Sequence, residues 1–95
     1  MENISVEELR KIIGNINIID VRGRENFNNG HIGNAINVPF NELLINSDKY
    51  IIKNKVYYIY CQRGTRSVKL CQILRNKGYR VVNVLGGYQA WILLK

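Results

Sequence analysis

Cys61 is the residue in this sequence best suited to chemistry, because of what stands on either side of it. It follows an aromatic and β-branched stretch, residues 56–60, and a helix is expected from Ser67 onward. The backbone N–H groups of such a strand-to-helix loop supply positive potential, and Arg63 and Arg66 add two charges nearby. Each of these groups favours thiolate over thiol. We therefore expect the pKa of Cys61 to lie below the free value of about 8.5.

The loop after Cys61 also distinguishes a nucleophile from a plain core residue. A cysteine that ends a buried strand can simply be a small apolar side chain. The two arginines and Gly64, which permits a tight turn, favour the nucleophile over that alternative. The candidate substrate-binding residues are those of the loop: Gln62, Arg63, Gly64, Thr65 and Arg66.

Two further residues have chemistry-bearing side chains but more ordinary expected roles. Cys71 falls on the apolar stripe of the predicted helix, so we expect a core residue and not a resolving thiol. His31 is the only histidine and has no Cys or Asp at ligand spacing, so neither a metal nor a cofactor is expected. Cys61 therefore has no obvious side-chain base, and its reactivity must depend on a lowered pKa.

Strands and helices alternate along the chain. The predicted strands are residues 16–21, 35–38, 56–60 and 80–84. The first predicted helix follows a capping box at Ser5 and Glu8, and the second begins from a cap at Asn41. A third is predicted over residues 67–77 up to Gly78, and a last one after Gly86 and Gly87. One helical turn is expected near Phe27, and an exposed turn at residues 48–50. This alternation indicates βαβ units and a mostly parallel sheet covered on both faces. Chemistry in such sheets sits at the carboxyl ends of strands, where Asp20, Arg22 and Cys61 all fall.

Composition limits the class of protein. The 95 residues are enough for one domain, residues 1–95, and 22% charged side chains exclude extended disorder. No apolar run approaches the roughly 20 residues of a membrane span. Residues 1–13 contain three acids before any base and no apolar signal core, so we expect a cytoplasmic protein without a membrane partner.

The formal net charge of +7 is unevenly distributed. Residues 1–48 carry four basic and seven acidic side chains, whereas residues 49–95 carry ten basic side chains and no acidic one. Such asymmetry can indicate nucleic-acid binding, but the sequence contains no nucleic-acid motif. The tyrosines at 57, 58 and 60 lie on a predicted buried strand, where they belong to the core. A small anionic partner is therefore preferred over nucleic acid.

Four segments together resemble the single-domain rhodaneses, a family of sulfurtransferases. They are IDVR at residues 19–22, FNNGHIGNAINVP at 27–39, CQRGTRS at 61–67 and LGGYQAW at 85–91. The third is similar to the family loop C-x-x-G-x-R-S. The second departs from its pattern, since Asn34 stands where the family usually has glycine. Each segment alone is weakly specific, whereas four in the right order are strongly so.

The resemblance implies a three-layer α/β/α domain with a mostly parallel five-stranded sheet. It also implies that Cys61 takes a sulfane sulfur from thiosulfate or a persulfide and passes it to cyanide or a thiol, including a protein thiol. The loop amides would hold the persulfide, and Arg63 and Arg66 would attract the donor. Asp20 and Arg22 match the family's D-x-R and are expected to brace the loop or the pocket rim.

Two alternatives to sulfur transfer remain at this point. Phosphatases and arsenate reductases of related fold have a C-x5-R loop, but only four residues separate Cys61 from Arg66. The shorter loop makes a narrower cradle, which suits a sulfur atom better than a tetrahedral phosphate. A non-catalytic rhodanese-like binding module is the second alternative, and the presence of Cys61 argues against it.

Overall fold

Five short strands form one sheet, and every neighbouring pair is parallel. The computed structural model describes residues 1–95. The strands are β1 (Asn3–Ile4), β2 (Asn17–Asp20), β3 (Ile36–Asn37), β4 (Val56–Tyr60) and β5 (Arg80–Val84). Their order across the sheet is β1-β5-β4-β2-β3. The longest strands, β4 and β5, are therefore neighbours near the middle of the sheet.

Six helices connect or flank the strands. They are α1 (Val6–Ile12), α2 (Arg24–Asn28), α3 (Phe40–Ile45), α4 (Ser47–Tyr50), α5 (Thr65–Asn76) and α6 (Gly87–Ile92). The predicted capping box is present, since the Glu8 N–H donates to Ser5 Oγ at 3.1 Å and the Glu8 carboxylate accepts from the Ser5 backbone. None of these helices has the length and apolar character needed to cross a bilayer.

The sheet separates two hydrophobic cores. On one face Tyr57 and Ile59 of β4 pack with Leu74 of α5. On the other face Tyr60 packs in a cluster with Leu9 of α1. This alternation along β4 follows from the two-residue period of a strand. It confirms the α/β/α architecture and the core position of Tyr57 and Tyr60, whereas Tyr58 is only half-buried.

Local structure departs from the sequence prediction in several places. Helix α3 begins at Phe40, directly after Pro39, so the predicted cap at Asn41 is wrong. The cause is tertiary: the Phe40 N–H donates to the Val21 carbonyl at 2.9 Å and fixes the helix start two residues early. Residues 48–50 belong to helix α4, and Tyr50 is half-buried with its hydroxyl donating to Glu42 Oε1 at 2.8 Å.

Two further differences concern α5 and β1. Helix α5 begins at Thr65, two residues before the predicted start, and ends before Gly78 as predicted. Leu70, Cys71 and Leu74 are buried on it, whereas Ile73 is 40% exposed. Strand β1, the fifth strand, was not predicted from residue patterns, because two residues are too few to show a strand period.

The sheet register brings the predicted chemistry together. Asp20, the last residue of β2, pairs with Tyr60, the last residue of β4. The ladder continues for one more bond, in which the Val21 N–H donates to the Tyr60 carbonyl at 3.0 Å. Because both strands end at the same edge of the sheet, Arg22 and Cys61 emerge side by side there.

Candidate active site

The Cys61 sulfur is held by backbone donors of its own loop. Cys61 follows β4 and is only 6% exposed. Its Sγ accepts hydrogen bonds from the Gly64 N–H at 3.1 Å and from the Ser67 N–H at 3.4 Å. Ser67 lies in the first turn of α5, so the helix N-terminus also faces the sulfur. This arrangement stabilises negative charge on the sulfur.

The carbonyl side of the same loop is fixed by helix α6. The Tyr88 N–H donates to the Cys61 carbonyl at 3.0 Å, and the Gln89 N–H donates to the Gln62 carbonyl at 2.9 Å. Gly87 has φ +59° and lies so close that a Cβ there would collide with the Cys61 carbonyl oxygen. These contacts orient the loop peptides, so their carbonyls point to α6 while N–H groups remain available to the sulfur.

The pKa of Cys61 is lowered, as the sequence predicted. Burial raises the pKa of the thiol, because a buried thiolate loses its hydration. The Ser67 hydroxyl and N–H lower it by donating hydrogen bonds, with smaller contributions from the amides of Arg63 and Arg66. The predicted cause was therefore partly wrong: these two arginines act on the thiol through their backbone N–H groups, and their guanidinium charges are not among the causes.

Asp20 and Arg22 form a buried ion pair beside the loop. Arg22 Nη2 lies 2.8 Å from Asp20 Oδ2, and the two side chains are 5% and 0% exposed. The remaining Arg22 N–H groups donate to Gln62 Oε1 at 3.1 Å and to the Gly30 carbonyl at 2.6 Å. The Arg22 guanidinium also lies over the Tyr88 ring, 4.2 Å from its centroid. This network joins β2 to the Cys61 loop.

A pocket of about 270 Å³ opens at Cys61. Its lining comprises Val21, Arg22, Gly23, Asn26, Phe40, Cys61, Gln62, Arg63, Thr65 and Arg66. None of these side chains is acidic. Arg63 and Arg66 form no ion pair, and the Arg66 guanidinium stacks on Phe40 at 4.5 Å. The pocket therefore presents two uncompensated positive charges to a ligand.

The predicted site residues lie close together in the structure, but they are placed differently relative to the Cys61 sulfur. Gln62, Arg63, Thr65 and Arg66 line the pocket with their side chains. Gly64 is buried and contributes its N–H to the sulfur. Sequence reasoning did not assign Ser67 a role, although its position in the C-x-x-G-x-R-S segment was a usable signal. It also missed Asn83, whose contact with Ser67 spans two elements.

The second cysteine and the single histidine lie elsewhere. Cys71 is fully buried in the core between β4 and α5, and burial raises its pKa to about 12. Cys71 is therefore a core residue, as expected. His31 stacks on Phe27, with ring centroids 4.0 Å apart. No group of three or more His, Cys, Asp or Glu side chains is placed to hold a metal ion.

Comparison with known proteins agrees with this geometry. Residues 5–94 match the rhodanese-like domain family. The chain belongs to that family. The rhodanese-like domain is 35% identical over 92 residues to the protein YqhL of Bacillus subtilis, an alignment that covers 96% of this chain and 72% of YqhL.

This rhodanese-like domain is similar to a sulfurtransferase and to a solved structure of the same family. It is 30% identical over 105 residues to human thiosulfate:glutathione sulfurtransferase, covering 94% of this chain and 91% of the human protein. A crystal structure of a rhodanese-like domain protein from Staphylococcus aureus superposes with a TM-score of 0.86 at 35% identity, covering 96% of this chain and 91% of that one. Both the five-stranded fold and the sulfurtransferase family assignment follow.

Proposed function

We propose that this rhodanese-like domain transfers a sulfane sulfur through a persulfide on Cys61. The observation that carries the proposal is the Cys61 sulfur itself, which accepts hydrogen bonds from two backbone N–H groups and belongs to the lining of a pocket without acidic side chains. The donor is an anion such as thiosulfate or a persulfide. The acceptor is a thiophilic nucleophile such as cyanide or a thiol.

In the first step the Cys61 thiolate attacks the outer sulfur of the donor. With thiosulfate, a new S–S bond forms at Cys61 while the donor's S–S bond breaks, and sulfite leaves with the bonding electron pair. The side chains of Arg63 and Arg66 are free to bind the doubly charged donor and the leaving sulfite. The loop N–H groups that stabilise the thiolate are placed to hold the terminal charge of the persulfide.

In the second step the acceptor attacks the terminal sulfur of the persulfide. The S–S bond at Cys61 breaks, its electron pair returns to Cys61 as thiolate, and the acceptor leaves with one added sulfur. The leaving thiolate needs no acid, because its pKa is already lowered, and a thiol acceptor loses its proton to solvent before it attacks. The name of the human relative, a thiosulfate:glutathione sulfurtransferase, supports thiosulfate as donor and a small thiol as acceptor.

Intact-mass measurement tests the proposal. Incubation with thiosulfate is expected to add about 32 Da, one sulfur atom, and subsequent cyanide is expected to remove it. Cys61→Ser should abolish the gain. Cys71→Ser is the matched control and should retain it, since Cys71 is buried away from the pocket.

Two results would overturn the proposal. Absence of any mass gain with thiosulfate or a small persulfide would favour the non-catalytic binding module. Hydrolysis of an aryl phosphate well above the Cys61→Ser background would favour a phosphatase, despite the short loop.

A further inference from the structure

Two arginines beside Cys61 are held in different ways. Arg22 is paired with the buried carboxylate of Asp20 at 2.8 Å, so its charge is compensated. Arg66 of α5 forms no ion pair, and its guanidinium lies over the ring of Phe40, 4.5 Å from the ring centroid. Both Phe40 and Arg66 line the pocket at Cys61. A carboxylate therefore holds one of these arginines, and an aromatic ring holds the other.

Phe40 is a fixed platform for this contact. It is the first residue of α3 and directly follows Pro39. Its N–H donates to the Val21 carbonyl at 2.9 Å, and its half-buried ring packs against the core that contains Leu74 of α5. These contacts leave the ring little freedom to turn away. An arginine without such a platform must be ordered when its ligand binds, at a cost in side-chain entropy.

Stacking on a ring leaves the charge of Arg66 and its hydrogen-bond donors available. The ring contacts the face of the guanidinium, whereas the N–H groups point outward in its plane. They remain available to the oxygens of an anion, and none of them is used in an ion pair. A carboxylate partner occupies such N–H groups and cancels the charge, as Asp20 does for Arg22. An aromatic partner therefore fixes an arginine without neutralising it.

We propose that Phe40 is a positioning residue for anion recognition, which acts by holding the Arg66 guanidinium at the pocket wall with its charge uncompensated. The fixed guanidinium favours the reaction of Cys61 with an anion over its reaction with a neutral molecule of the same size. Arg63 lines the same pocket without lying over an aromatic ring, so it supplies charge that Phe40 does not control. The inference rests on the proposed binding of an anionic sulfur donor in this pocket.

Alkylation of Cys61 by two reagents of similar size, followed by mass spectrometry of the Cys61 peptide, tests this inference. Iodoacetate is an anion and iodoacetamide is neutral. Both react with the thiolate, so the ratio of their rates cancels any change in the thiolate fraction. Phe40→Leu should lower the iodoacetate-to-iodoacetamide ratio about threefold, as expected for the loss of one cation–π contact. Arg66→Gln should lower it about tenfold, because the charge itself is lost.

Double variants show whether Phe40 acts through Arg66. Adding Phe40→Leu to Arg66→Gln should cause no further loss of the ratio, whereas adding it to Arg63→Gln should still cause the full threefold loss expected of one cation–π contact, or about that. Phe40→Tyr keeps an aromatic face and should restore most of the ratio lost in Phe40→Leu.

Tyr50→Leu is the matched control for lost aromatic packing. Tyr50 is a second half-buried aromatic residue against the same core, and Lys49 Nζ lies 5.7 Å from its ring centroid. It does not belong to the lining of the Cys61 pocket. Tyr50→Leu should therefore leave the ratio of the two alkylation rates unchanged.

Three results would overturn the inference. They are an unchanged ratio in Phe40→Leu, an equal fall of the ratio in Tyr50→Leu, and a further fall when Phe40→Leu is added to Arg66→Gln. Circular dichroism checks the fold of each variant, and Phe40→Met carries the same expected sign if the leucine variant does not fold. Alkylation needs only a thiolate, so these ratios are measurable whether or not Cys61 accepts sulfur. Failure of sulfur uptake with the expected ratios would overturn the proposed function alone.

Discussion

Replacing Arg22 by glutamine tests the buried network that supports the Cys61 loop. The substitution leaves the Asp20 carboxylate, which is 0% exposed, without its ionic partner. Removing one member of a buried pair typically costs about 3–5 kcal/mol, because the remaining charge is left unpaired. The side chain also gives up its bonds to Gln62 Oε1 and the Gly30 carbonyl. Since small domains are stable by only about 5–15 kcal/mol, we expect a large fraction of the stability to be lost.

Urea unfolding, followed by the fluorescence of the single tryptophan, measures this loss. The more exposed pair Arg75–Glu2 provides the control, since its atoms are 4.0 Å apart and its side chains are 29% and 70% exposed. Arg75→Gln should cost at most about 2 kcal/mol, because the variant also gives up a hydrogen bond to the Val81 carbonyl. The double variant Asp20→Asn with Arg22→Gln should be more stable than Arg22→Gln alone, because no charge is then left buried without a partner.

The same variant should impair the site by more than its instability explains. With Gln62 released from Arg22, the loop amides are less well fixed around the sulfur, so sulfur uptake should fall even where the protein is fully folded. An Arg22→Gln cost no larger than that of Arg75→Gln would refute the reasoning. So would a double variant no more stable than the single one.

Three further predictions concern the glycine turn and the two thiols. Gly87→Ala should cost more stability than Gly14→Ala, because a Cβ at Gly87 would collide with the Cys61 carbonyl. Gly14 also has a positive φ, +113°, but open space surrounds it. Equal urea midpoints for the two variants would contradict this prediction. Folding lowers the pKa of Cys61, so the free energy of unfolding should rise with pH between the folded and unfolded values of that pKa. This stabilisation should be lost as pH falls through the folded value. The Cys61→Ala variant should show no such rise. Cys71 should resist alkylation at pH 8 in native protein and react once urea unfolds it; labelling of both thiols at equal rates would exclude its burial.

Much of the fold was predictable because its signals are local. The capping box at Ser5, the β-branched run of β4 and the glycine after α5 each depend on a few adjacent residues. The start of α3 at Phe40 was not predictable, because it is set by a bond to Val21 across the chain. Strand β1 exists through its pairing of Asn3 and Ile4 with β5, and two residues carry no period of their own.

The candidate site was likewise predictable only where its signals lie in adjacent residues. The position of Cys61 at a strand end and the arginines near it were visible in the sequence. The buried position of Asn83 was not visible, since a polar residue within a strand ordinarily indicates a solvent-facing position. Its buried contact with Ser67 appears only once β5 and α5 are packed together. The role of Tyr88 as a backbone donor to the loop depends likewise on how α6 returns to β4.

The contacts around Cys61 show how the uneven charge of the sequence bears on the candidate site. The thiolate of Cys61 is stabilised by N–H groups and by a hydroxyl, and not by the guanidinium groups of the loop. The one carboxylate beside the loop, Asp20, is paired with Arg22. The charges of Arg63 and Arg66 are therefore not needed by the nucleophile, and no acid in the second half of the chain competes for them. In the proposed sulfur transfer, the backbone sets the reactivity of the sulfur, and the two arginines remain free to bind an anionic donor.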